Sequence, residues 1–340
     1  LQIEVRPGSE TGAFNVLSPR QQLTATPFAA FAARVPWTGL TNMPAGFADG
    51  LDDNTTYSAG SGLTLNGTEF SETPINNMVI VAPGGGDFTS IQAAIDDISD
   101  ATANNPYLIW IGPGVYDEAV TTKPHVHLKG SGPETTIITN DISTSNNPPD
   151  VATVVALANS SLRELSVHNS GVGVRNAALL VPAGNENVTI HDVSISKFGG
   201  GTVGYGIYAD GPGSQIALSN IAISVIESID TYGINLDDAD ALIEFANVHA
   251  KSTTDDSFGL YATSAGVAIT MSNSTILSEG DDDSVGMYLL DGQGHVSNSH
   301  IAANGYTNGS TDSRAINNFV GQLTLIDVTA IAEGGRFYNY

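Results

Sequence analysis

Residues 218–223 read LSNIAI, and the same outline returns along the chain. It recurs as LRELSV at 162–167, IHDVSI at 190–195, FANVHA at 245–250, MSNSTI at 271–276, VSNSHI at 296–301 and LIDVTA at 325–330. Aligned on their third residues (Glu164, Asp192, Asn220, Asn247, Asn273, Asn298 and Asp327), the segments lie 28, 28, 27, 26, 25 and 29 residues apart. A second column, YGIY, YGIN, FGLY, VGMY and RAIN, places Gly206, Gly233, Gly259, Gly286 and Ala315 at intervals of 27, 26, 27 and 29. Two independent columns that keep one period define a repeat architecture.

The apolar spacing gives the repeat its geometry. Around Asn220 stand Ile216, Leu218, Ile221 and Ile223; around Asp192, Val188, Ile190, Val193 and Ile195; around Asp327, Leu323, Leu325 and Val328. Within each half the spacing is two, the alternation of a β-strand, and between the halves it jumps to three, which marks a corner. Asn or Asp suits that corner, because a short polar side chain tolerates the left-handed backbone and bonds to it locally. Coils of this length, stacked at about 4.8 Å, form a parallel β-helix of eight or nine coils from Pro106 onward, a rod of about 40 Å. A leucine-rich solenoid would show L-x-x-L-x-L, which this chain lacks.

Before the coils, VIVAPGGGDFTSIQAAIDDIS reads as strand, glycine turn and helix. Thr89 is the expected N-cap, Gln92 completes a capping box, and Phe88 is placed for a hydrophobic staple. Ile91, Ala94, Ile95 and Ile98 share one face, which suits a helix that covers the open end of a solenoid. Residues 1–75 differ in kind: Pro-punctuated, then rich in Gly, Asp, Asn and Thr, with too few periodic apolar residues for a core of their own. The expected division is an extended N-terminal arm over 1–75 and the β-helix over 76–340. Phe28–Ala32 reads as a turn or two of helix, and Trp37, Phe47, Tyr57 and Leu65 as anchors of the arm. The alternating LQIEV at Leu1 reads like the middle of a strand, so a processed or truncated start is expected.

With 11 Lys+Arg against 36 Asp+Glu, the net charge is −25, which repels phosphate backbones and anionic membranes. Nucleic acid is excluded as an expected partner. No apolar run reaches the roughly 20 residues of a bilayer span. Without cysteine there is neither a disulfide framework nor a thiolate metal site. Abundant Gly, Ser, Thr and Asn with 14% charged residues fits an extracellular or cell-surface β-protein.

GGGDFTSIQAAID (84–96), YLIWIGPGVYDEAV (107–120), VHLKGSGPETTIIT (126–139) and ATVVALANSSLRELSVHNS (152–170) follow one another in the order of a known family's opening coils. Over these residues the chain resembles pectin methylesterases and related pectate-lyase-like right-handed parallel β-helix proteins. The resemblance implies a right-handed solenoid and a capping helix. It also implies paired aspartates as acid/base and nucleophile, glutamines that polarise the carbonyl, and an arginine that orients one carboxylate. Here Asn176 stands where the pattern has a glutamine, SKFGGGTVGYG replaces QDTL so that the acid falls near Gly200 or Gly201, and DFIFG-like and LGRPW segments are missing. The arm around SPRQQLTATPFA and NTTYSAGSGLTLNGTEFS resembles linkers of bacterial surface proteins and phage tail fibres.

From these residues the expectation is a non-catalytic extracellular subunit of a fibre, appendage or surface structure. It would self-associate into an oligomer or polymer through the arm and an uncapped last coil (QLTLIDVTAIAEGGRFYNY), and no residue is assigned to catalysis. No cofactor is expected apart from Ca²⁺, for which Asp255, Asp256, Asp282 and Asp283 are the candidates, in loops one coil apart. Asp210, Asp237 and Asp291 are a further candidate column, while Arg175, Arg314 and Arg336 show no carboxylate cluster around them. The alternative is a carbohydrate-binding or carbohydrate-degrading β-helix with polysaccharide as partner. In that reading Tyr205, Tyr208, Tyr232, Tyr261 and Tyr288 are sugar platforms, although they flank the glycine column and stacking between coils explains them better.

Overall fold

The computed structural model describes residues 4–5, 8–9, 11–16, 63–66, 69–72, 77–252, 254–264, 266–305 and 312–333. Two units emerge, Leu1–Pro74 and Ile75–Tyr340. In the first, Glu4–Val5 pairs antiparallel with Asn15–Val16, and Leu63–Asn66 with Glu69–Glu72. The helical reading of 28–32 and the anchors Trp37, Phe47 and Tyr57 lie outside the described residues.

The second unit is a parallel β-solenoid of about nine turns. Each coil contributes to three stacks. One holds Asn77–Val81, Tyr107–Ile111 and Val126–Lys129 at its start and Ala268–Ser272, Gln293–Ser297 and Gln322–Ile326 at its end. A second runs from Gly114–Asp117 and Thr136–Asn140 to Thr275–Gly280, His300–Gly305 and Thr329–Glu333. The third runs from Val120–Thr121 and Ala152–Val155 through Arg175–Val181 to Ser257–Ala262, Asp283–Leu289 and Asp312–Asn318. The long strands Val203–Ile226 and Asp230–Lys251 pass through all three.

The inward alternation is as expected. Ile216, Leu218, Ile221 and Ile223 are buried, as are Val188, Ile190, Val193 and Ile195. Full burial of each such side chain contributes about 1.5–3 kcal/mol, and a one-residue slip would turn the whole set outward. The last described coil departs from this pattern: Leu325 is exposed, and Leu323 and Val328 are half-buried.

At the corner between the first two stacks the left-handed backbone appears at Glu164, Asp192, Asn220, Asn273, Asn298 and Asp327, with φ between 46° and 55°. One member of the expected column is corrected. In its coil Phe245 holds the corner at φ 53°, while Asn247 pairs with Ala222 and Thr275 two residues further on.

The helix α1 (Ile91–Asp97) forms, and Ile91, Ala94, Ile95 and Ile98 join the core with Val81, Ile109 and Ile111. Its N-cap is Ser90 rather than Thr89, with Ser90 Oγ accepting from Ala93 N at 3.1 Å. The reciprocal partner is not Gln92 but Glu118, more than a coil away in GVYDEAV. Its carboxylate accepts from Ser90 Oγ at 2.7 Å, Ile91 N at 2.8 Å and Gln92 N at 3.0 Å. A carboxylate at a helix N-terminus satisfies orphan amides and opposes the dipole. Glu118→Ala is therefore expected to cost about 2–3 kcal/mol, since bonds to a charged acceptor contribute about 1.5–3 kcal/mol. Urea unfolding would read this as a lower midpoint with an unchanged slope.

Candidate functional site

The third stack carries the chemistry on its outer side. Its glycine column is set by backbone approach: a Cβ at Gly206, Gly233, Gly259 or Gly286 would lie 2.5–2.6 Å from the carbonyl oxygen of the next coil. Either side of that column stand aromatic rows. Tyr205, Tyr232 and Phe258 stack at 5.2 and 5.1 Å, and Tyr261 stacks on Tyr288 at 4.9 Å. Tyr205, Tyr208 and Phe258 are buried, and burial raises the Tyr205, Tyr208 and Tyr232 hydroxyls well above their ordinary range. Packing between coils therefore accounts for these rings, each pair contributing about 0.5–1.5 kcal/mol beyond its area.

Three residues before Gly233, Gly259, Gly286 and Ala315, an aspartate stands at or just before the start of successive strands: Asp230, Asp256, Asp283 and Asp312. Thr231, Ser257 and Ser284 pair in register just after the first three, and Asp283 pairs with Asp312. Asp256 Oδ1 accepts from Asp283 N at 3.1 Å, so the ladder is partly bonded to the next coil's backbone. Burial comes first in raising Asp230, Asp256 and Asp283, and neighbouring carboxylates add to it. Asp256 is pushed up to about 6, against the amide bond from Asp283 and with the charges of Asp283, Asp255 and Asp230. Asp230 is raised by burial and by Asp255. Asp283 is raised by burial, with Arg314 opposing.

The metal candidates are brought together only in part. Oxygens of Asp230, Asp255 and Asp256 come within 4.8 Å of one another, while Asp282 and Asp283 fall outside this group. Three carboxylates are a donor set that a hard divalent cation accepts, and equally one that can share protons. Asp230, with no aspartate beside it in sequence, is not among the expected ligands, yet it joins Asp255 and Asp256. Its signal was the offset of three from Gly233, shared by Asp256 from Gly259 and Asp283 from Gly286. Arg314 also needs correction: its guanidinium lies 2.7 Å from Asp312 and 4.0 Å from Asp283. Arg336 lies outside the described residues. Asp210 pairs with Asp237 as expected, but Asp291 is off the column, since Ala262 pairs with Leu289 and Asp291 follows two residues later.

The position near Gly200 and Gly201 cannot hold an ordinary acid. Gly199, Gly200 and Gly201 have φ of 93°, 84° and 104°, and a Cβ on Gly201 would strike Asn176 Nδ2. Lys197, fully buried, ties this turn down by donating from Nζ to Phe198 O at 2.9 Å and Gly200 O at 2.7 Å. Burial lowers its ammonium to about 8, against the charge of Glu227. Asn176, in the glutamine position, is enclosed: Nδ2 donates to Gly173 O and Val203 O, and Oδ1 has no partner among the described residues.

The class defined by this geometry is a parallel β-solenoid with an outward carboxylate ladder on one stack. Comparison with known proteins is more particular. Residues 77–200 match the family model Pectinesterase. A probable pectinesterase/pectinesterase inhibitor 42 of Arabidopsis thaliana is 36% identical over 75 residues, 21% of this chain and 14% of that protein. A probable pectinesterase/pectinesterase inhibitor 17 of the same plant is 28% identical over 132 residues, 38% and 25% of the two chains. The chain thus aligns with a quarter or less of these relatives' own length. Among solved structures, the pectin methylesterase of Yersinia enterocolitica has a TM-score of 0.48 at 15% identity, covering 74% of this chain and 92% of its own. That of Erwinia chrysanthemi has 0.41 at 13%, covering 77% and 91%.

The pectinesterase match overturns the reading of the chain as a non-catalytic building block without enzymatic activity. The physical reason for the error is placement. The expectation rests on the family's sequence positions, where the turn excludes a carboxylate; Asp230 and Asp256 stand one and two coils later. Among the described residues no helix is long and apolar enough to cross a membrane.

Proposed function

We propose that the protein acts on an esterified polysaccharide of the pectin class in the extracellular space, using Asp230 and Asp256 as its carboxyl pair. The observation that carries this is their meeting on neighbouring coils, carboxyl oxygens within 4.8 Å of one another, with burial pushing Asp256 up to about 6. The pectinesterase match over residues 77–200 supports the substrate class. Asp230, as the base, takes a proton from water as the water oxygen attacks the ester carbonyl. Asp256 gives its proton to the departing alkoxide, so the products are a carboxylic acid and methanol. The charge of −25 suits product release, because a neutral ester approaches without repulsion while the ionised product is repelled.

Calcium at Asp230, Asp255 and Asp256 is the competing occupant of the same oxygens, and it would inhibit rather than assist. The test is methanol release from highly methyl-esterified pectin, with and without added Ca²⁺. Methanol above a no-protein control supports the proposal. Its absence, or unsaturated sugars in its place, refutes it, the latter in favour of a lyase.

A further inference from the structure

Phe245 is out of keeping with its column. Every other corner described here as left-handed in that column carries Glu, Asp or Asn, and Phe245 adopts the same φ of 53° while 58% exposed. A bulky side chain in this conformation costs about 1–2 kcal/mol, and an exposed ring recovers little of that by burial. Strain held at an exposed position is a pointer to binding.

The surroundings supply a second, independent observation. Phe245 lines an open cleft of about 570 Å³ together with Asn273, Thr275, Asn298, His300 and Asp327. The cleft runs across four successive coils, since Glu244, Ser272, Ser297 and Ile326 pair in turn, as do Asn247, Thr275, His300 and Thr329. Before Phe245 the column's side chains are paired: Lys129 Nζ donates to Glu164 Oε1 at 2.8 Å, and Asn220 Nδ2 donates to Asp192 Oδ1. After Phe245 that linkage stops. Asn273 Nδ2 reaches only Ser272 Oγ at 3.4 Å, and the side chains of Asn298, His300 and Asp327 make no hydrogen bond among the described residues.

We propose that this corner groove is a second carbohydrate-binding site, remote from the aspartate ladder, in which Phe245 stacks beneath a pyranose ring. Asn273, Asn298, His300 and Asp327 bond the hydroxyls of the units that follow. Four coils span about 14 Å, with side chains repeating every 4.8 Å or so, a spacing that suits an extended run of sugar units along the axis. An aromatic face with amide and hydroxyl groups beside it presents both surfaces a sugar offers, its C–H face and its hydroxyl rim. The ligand is an uncharged chain, whether an esterified uronan or a neutral glycan, because Asp327 and the net charge of −25 disfavour a polyanion.

The site stands whether or not Asp230 and Asp256 hydrolyse an ester, and its readout is binding, not methanol. Isothermal titration of the full chain with methyl-esterified galacturonan oligosaccharides, neutral galactan oligosaccharides and polygalacturonate separates the sources. Binding of at least one of the first two, with polygalacturonate weaker, is expected. Phe245→Asn should reduce that affinity at least tenfold while its melting temperature stays the same or rises, since Asn suits the backbone. Phe245→Trp should retain binding. Wild-type affinity in Phe245→Asn, or no binding of any of the three glycans by the wild type, would overturn the proposal.

Discussion

Gly259→Ala is expected to abolish the native solenoid or to destabilise it by more than about 3 kcal/mol, the upper range for forcing extra atoms into a packed site. The added carbon would strike Ile276 Cγ2 and lie 2.6 Å from Gly286 O, and one of these belongs to the backbone of the next coil. A side chain can rotate away, but a carbonyl held in a parallel ladder cannot move without breaking its coil's pairing. In a solenoid each coil is stabilised by its neighbours, so parting two coils exposes both interior faces. Against a total stability of about 5–15 kcal/mol, such a cost removes most of the native population. Gly84→Ala is the control: no atom lies within 4 Å of its added carbon, and it should remain within about 0.5 kcal/mol of wild type. Urea unfolding followed by circular dichroism reads both. A native midpoint for Gly259→Ala would mean that the column reflects sequence drift rather than contact.

The reason that column was legible is that its constraint is local and repeated. A close approach recurs once per coil and admits only glycine, and the substitution of Ala315 falls in the last described coil of the stack. Interior alternation at Val188–Ile195 and Ile216–Ile223 was legible on the same ground. What stayed hidden depends on partners distant in sequence or on a broken rule. Glu118 serves the N-terminus of α1 from the far side of a coil, so Ser90 and its partner could not be told from Thr89 and Gln92. Phe245 takes a backbone conformation that its side chain disfavours, and Asn247 nearby offered a plausible but wrong register. Asp230 carries no neighbouring carboxylate in sequence, so its meeting with Asp255 and Asp256 arises only from coil stacking.

Asp256→Asn should lower methanol release by about 10²–10⁴-fold, the usual contribution of a positioned acid or base. Asn keeps the shape and can still accept the amide of Asp283, but it has no proton to give. The pH profile makes the assignment specific. With Asp256 at about 6, the wild-type rate falls as pH rises through that value, and the variant loses this descending limb. Asp283→Asn removes a negative neighbour, which eases ionisation of Asp256, so its limb should move to lower pH while activity persists. Stability separates chemistry from unfolding. The folded value of Asp256 lies above the ordinary carboxylate value of about 3.9, so folding favours its protonated form. Its contribution is complete below that ordinary value and is lost as pH rises toward 6. Above pH 6 Asp256→Asn is therefore expected to melt no lower than wild type, although nearly inactive. A variant that instead keeps its rate, or keeps the descending limb, places the acid elsewhere on the ladder.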